Sequence, residues 1–125
     1  MEFIDTHTHN SDPAYQDCED EVILRAEEAG VTALIQADID SSERERMYSL
    51  SARHPGVLYN MLGLYPGSVN GHWRDEIDAL LPWRDKGPVA MGEIGLDYHF
   101  GTEFKEEQKE AFRTQLELAS EWDLP

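Results

Sequence analysis

Cysteine is almost missing: Cys18 is the only one in 125 residues. An internal disulfide is therefore excluded, and a reducing compartment is the natural setting. Positive charge is also scarce. Ten basic residues stand against 26 acidic ones, for a formal net charge of −16. Such a field repels nucleic acid and anionic membranes at long range, which argues against a general nucleic-acid-binding module. It leaves room for an enzyme acting on phosphates, because bound divalent cations reverse the local sign. No apolar run reaches the roughly 18 residues of a membrane span. The chain arrives at Asp5 and His7 without a basic segment or an apolar stretch, so no signal peptide is expected. These absences point to a cytoplasmic protein without a membrane partner. There is no Gly-rich dinucleotide fingerprint after the first apolar segment, no phosphate loop, no Ser-His-Asp elbow, no CxxC pair and no linker. Cys18 has no activating neighbour in sequence, so no thiol nucleophile is expected.

What is present is a repeated alternation of strand and helix in one domain, residues 1–125. Met1 to His9 reads as a strand. Asp17 to Ala29 reads as a helix with Val22, Ile23, Ala26 and Ala29 on one stripe, stopped by Gly30. Residues 31–37 form a second strand. A capping box from Ser42 to Glu45 opens a helix running to Arg53, with Met47, Leu50 and Ala52 inward. Residues 57–62 give a third strand, and 73–83 a third helix with Ile77, Leu80 and Leu81 inward. Val89 to Ile94 is the fourth strand. A helix over 105–122 places Gln108, Ala111, Phe112, Gln115, Leu116 and Ala119 at helical spacing. Leu124-Pro125 reads as the approach to a fifth strand. Trp73, Trp83 and Trp122 read as helix packing.

Strict βα repetition gives a parallel sheet with right-handed crossovers. The choice lies between a doubly wound sheet and a (β/α)8 barrel, and the missing dinucleotide fingerprint weakens the former. The fold class is therefore α/β, of the (β/α)8 TIM-barrel type. Only about four βα units are present, whereas a full barrel takes about 250 residues. A half barrel is expected.

The placement of polar residues supports the barrel, whose catalytic groups sit at the C-terminal ends of strands. His7 and His9 alternate on one strand, so they project together. Glu93 ends the fourth strand after Val89 and Met91, which share its face. Two imidazoles and a carboxylate converging from different strand ends can hold a divalent metal. Zinc, nickel, manganese and magnesium all stay open, as one ion or two. Glu93, the expected catalytic group, can bind one ion or bridge two. Asp5 lies deeper on the histidine face and reads either as orienting a ligand from behind or as a helper of the backbone. Tyr65, after the third strand, offers a hydroxyl to a phosphate or to a ligand. Asp97 reads as a loop cap near the site, and His99 as close enough to line it. His54 and His72 read as surface and loop residues.

These stretches resemble the TatD-like metal-dependent hydrolases of the amidohydrolase superfamily. Asp5-Thr6-His7-Thr8-His9 is similar to their opening D-x-H-x-H, and Gly63-Leu64-Tyr65-Pro66 to their G-x-H-P. Gly92-Glu93-Ile94-Gly95-Leu96-Asp97-Tyr98 is similar to their G-E-I-G-L-D-[YF]. Gln108 to Ala119 is similar to their Q-x-x-x-F-x-x-Q-L-x-L-A helix. The resemblance implies a (β/α)8 barrel, a one- or two-metal centre, and hydrolysis of phosphodiesters, often DNA, by metal-activated water. It makes His7, His9 and Glu93 the matching metal ligands. Tyr65 departs from the pattern, standing where the family has histidine. The family's further histidines and aspartate, from later strands, have no counterpart in this sequence. The chain is thus expected to be the N-terminal half of such an enzyme. Two alternatives remain: an inactive fragment that self-associates as a homo-oligomer through its open sheet edges, and an amidohydrolase-type enzyme acting on a small-molecule ester or amide rather than nucleic acid.

Overall fold

A computed structural model describes residues 1–125. Four strands, β1 (Phe3–Thr8), β2 (Val31–Gln36), β3 (Leu58–Leu62) and β4 (Ala90–Met91), alternate with four helices, α1 (Glu19–Glu28), α2 (Ser41–Arg53), α3 (Trp73–Asp78) and α4 (Lys105–Glu121). The strands form one sheet in the order β1-β2-β3-β4. Every pairing is parallel: Asp5 lies opposite Leu34, Gln36 opposite Asn60, and Leu62 opposite Met91. Parallel order with a helix after each strand is the pattern the alternation predicts. The carbonyl of Pro125 accepts from the Met91 amide at 2.8 Å, so the chain after α4 runs up beside β4 as the start of a fifth strand would.

The helices bury their stripes on the sheet in two clusters. The larger joins Leu62, Leu64, Val69, Trp73, Ile77, Leu80 and Ala111, with Trp83, Phe104, Leu118 and Trp122 packed against it. The smaller joins Ile23, Leu34, Leu50 and Leu58. The three tryptophans are packing residues, as their helical setting implies. β1 lies outside both clusters. Phe3 and Ile4 are 51% and 62% exposed, because β1 is paired on one side only.

Several local expectations are corrected. Asp40, not Ser42, caps α2: its Oδ1 accepts from the Ser42 amide at 3.0 Å, so the helix starts two residues earlier. α3 ends at Asp78, and a 3₁₀ turn over Leu81–Lys86 follows. Pro82 has no amide to continue the α-helical ladder. β4 covers two residues rather than Val89 to Ile94. Beyond Met91 its groups bond across to Leu62 and Asp38. Ala29, Ala52, Leu81 and Leu116, read as inward, are exposed. Gly30 does stop α1, at φ +95°, a conformation that glycine adopts without penalty.

Two glutamines of α4 explain why that helix carries amides on its buried face. Gln115 Oε1 accepts from the Leu64 amide (2.6 Å), and its Nε2 donates to the Leu64 carbonyl (3.2 Å). Gln108 does the same at Asp97, at 2.9 and 2.8 Å. Each side chain satisfies both main-chain groups of one loop residue, as a neighbouring strand would. The two loops that flank the site are thereby tied to one rigid helix.

Candidate metal centre

His7, in β1, and His9, just past its end, face the same cleft, their ring centroids 5.2 Å apart. Glu93 reaches them from the segment after β4. Three main-chain bonds set that segment: Gly92 N to Leu62 O (3.0 Å), Asp38 N to Gly92 O (3.1 Å) and Glu93 N to Asp38 O (3.1 Å). Glu93 Oε2 then lies 3.2 Å from His7 Nε2 and 3.9 Å from His9 Nε2. One ligand atom from each residue falls within 4.8 Å of the others.

This geometry suits one shared ion. Ligand atoms about 2.0–2.2 Å from a tetrahedral zinc stand about 3.4 Å apart. The His7–Glu93 distance is already of that size, and a small side-chain rotation brings His9 in. The donor chemistry also suits it, since two imidazoles and a carboxylate form a common set for borderline divalent metals. His7 and His9 are 53% and 39% exposed, and Glu93 28%, so the group faces an open mouth rather than a sealed core. These three residues share a cleft of about 400 Å³ with Asp12, Ile39 and Tyr65. An adjoining cleft of about 280 Å³ is reached past His9, Asp12 and Ile39, and includes Asp38 and Glu43. No lysine or arginine lines either, so any anionic substrate would depend on a cation for electrostatic attraction.

The structure sorts the other candidates. Asp5 Oδ1 accepts from the main-chain amide of His7 at 3.1 Å, so this oxygen braces the strand. Tyr65 does reach the cleft. Its hydroxyl donates to Asp97 Oδ2 at 3.0 Å, and this bond raises its pKa above the ordinary phenol value. The phenol proton is thus committed, and toward the cleft Tyr65 offers only an acceptor. Asp97 also takes the His99 amide at 2.9 Å. That bond first, and Tyr65 second, hold its carboxyl below the usual range. His99 itself packs on Phe100 and is not among the cleft residues. His54 pairs with Asp20 at the far end of α2, and the exposed His72 lies in a loop beside Asp75.

Sequence reasoning missed the buried polar layer beneath the site. Asp38 and Arg44, each 1% exposed, form an ion pair at 2.7 Å. Burial pushes the Asp38 carboxyl up to about 6, against the opposing pull of the guanidinium. Gln36 Nε2 donates to Asn60 Oδ1 at 2.8 Å between β2 and β3. One signal was available: Arg44 precedes Met47 and Leu50 at three-residue spacing, on the buried stripe of α2.

Residues 4–125 match the model of the family described as TatD related DNase. The chain belongs to that family. A TatD protein of Erwinia billingiae, named a 3'-5' ssDNA/RNA exonuclease, is 36% identical over 108 residues, which cover 85% of this chain and 41% of the relative. The crystal structure of YjjV, a TatD homologue from Escherichia coli, superposes with a TM-score of 0.88 at 33% identity, over 98% of this chain and 48% of that one. A TatD-family hydrolase from Entamoeba histolytica superposes at 0.86 and 26% identity, over 100% and 48%. The chain spans about half the length of the curated relatives it matches. Its four βα units are the half of a TIM barrel that the strand count implied.

Proposed function

We propose that residues 1–125 act as the N-terminal half of a TatD-type metal-dependent hydrolase, with a phosphodiester substrate and single-stranded nucleic acid as the leading case. The observation that carries this reading is the convergence of His7, His9 and Glu93 on one point. The names of relatives agree, one being an exonuclease and another, from Escherichia coli, a metal-dependent hydrolase. A divalent ion bound there supplies a Lewis acid that activates water and stabilises charge on a phosphoryl oxygen. The chain's own part is to present two imidazole lone pairs and one carboxylate, already gathered by the sheet. Glu93 is the group proposed to touch the reacting atoms. Tyr65, its proton held by Asp97, accepts from a water or a substrate donor. The single free thiol agrees with a cytoplasmic setting.

The test is hydrolysis of a single-stranded oligonucleotide with manganese, magnesium or zinc added separately. Cleavage should require the metal, stop with chelator, and fall to background in His9→Ala and Glu93→Ala. Equal rates in all three proteins would overturn the assignment. Self-association is a second reading, motivated by the one-sided pairing of β1 and the exposure of Phe3 and Ile4. Sedimentation decides it, because a concentration-independent monomer removes the idea.

A further inference from the structure

One residue touches the segments beyond two strand ends at the mouth. Asp38 lies just past β2. Its main chain holds the site loop on both sides, donating to Gly92 O and accepting from Glu93 N, each at 3.1 Å. Its Oδ2 accepts from the amide of Gly63, the residue after β3, at 3.0 Å. The same oxygen accepts from Arg44 Nε at 2.7 Å. Arg44 is fixed in turn by Nη1 donating to the Ala79 carbonyl at 3.1 Å. The residue before Asp38, Ala37, donates to Thr8 O at 2.9 Å, between the two histidines.

Stability alone does not explain this pair. Burying two charges costs desolvation that their attraction repays only in part, and apolar replacements are often as stable. An apolar side chain could not take the Gly63 amide. Gly63 in turn packs on the main chain that leads to Glu93: a Cβ there would stand 2.9 Å from Gly92 C and 3.0 Å from Gly92 O. The Glu93 carboxylate has no polar partner except the two imidazoles, so its place depends on its backbone. The geometry points to Asp38, backed by Arg44, as the positioning residue that sets the Glu93 carboxylate opposite His7 and His9. This role rests on the metal-site reading above. It reaches Glu93 by two routes, through the Asp38 main chain and through its side chain by way of Gly63 and Gly92.

The experiment measures zinc affinity by competition with a chromophoric chelator, and the urea unfolding midpoint of the metal-free chain in parallel. The proteins are the parent chain, Asp38→Ala, Asp38→Asn, Gly63→Ala and Leu50→Ala. Support beneath a metal site is worth roughly 10–100-fold in affinity. Asp38→Ala and Gly63→Ala should therefore weaken zinc at least tenfold. Asp38→Asn keeps an acceptor for the Gly63 amide and should recover part of that loss. Leu50→Ala, in the cluster with Leu34 and Leu58, should lower the midpoint yet bind zinc within twofold of the parent. If Asp38→Ala does not fold, Gly63→Ala and Asp38→Asn carry the same comparison. The role is overturned if the Asp38 and Gly63 variants bind as the parent does, or if Leu50→Ala loses as much affinity as they do. A parent chain that binds no zinc removes the metal reading, and this role with it.

Discussion

β1 and β3 belong to one sheet and are built for different ends. β3 buries Leu58, Asn60 and Leu62 on one face, with α2 packed against it. β1 carries His7 and leads directly into His9, and five of its six residues are exposed. The strand that bears a candidate ligand contributes little to the core, and the strand that bears the core contributes none. Glu93 follows the same division, since it lies past the two-residue β4 and is placed by main-chain bonds to its neighbours. The lesson is that stability and metal binding should separate under mutation. The ligands can be removed without unfolding the chain, and the core can be weakened without dismantling the site.

The largest effect should come from the core side. Leu62→Ala or Leu80→Ala empties a position that is 0% exposed, and should cost about 2–5 kcal/mol in denaturant unfolding. Gln115→Ala comes next. It leaves the amide and carbonyl of Leu64 buried and unpaired, for about 1–3 kcal/mol by the same measurement. His7→Ala should move stability by no more than about 0.5 kcal/mol, as exposed sites do, while zinc affinity collapses. A histidine variant that unfolds the chain would break the division. The smallest effect concerns acid. The folded Asp97 carboxyl is held below its ordinary value, so its contribution is present above that value and lost as pH falls through the folded one. Tyr65→Phe removes one of the two bonds responsible and should flatten the acid limb of a stability-versus-pH curve slightly. An unchanged curve would show that Tyr65 and Asp97 are not coupled in solution.

The division also explains what could be read in advance. The βα alternation, the Gly30 stop and the pairing of His7 with His9 follow from local periodicity, which one sequence displays. The meeting of His7 with Glu93 depends on sheet order, and was legible only because parallel strands place their ends together. Asp38 was not legible, and Arg44 only by its place on the Met47–Leu50 stripe. They contact residues 25 and 35 positions away, Gly63 and Ala79, and charged side chains carry no local mark of burial. Asp5 had two readings, a brace for a ligand or a helper of the backbone, and local periodicity could not choose between them; one of its carboxylate oxygens takes a main-chain amide two residues away. The length of β4 was overread for a similar reason, since its apolar residues continue past the last ladder bond into a loop held by Asp38.

Zinc-edge anomalous diffraction from crystals soaked in zinc would test the central claim most directly. The account predicts a peak about 2.0–2.2 Å from His7 Nε2, His9 Nε2 and a Glu93 carboxylate oxygen together. A peak elsewhere, or none there while zinc occupies other surface carboxylates, would contradict it.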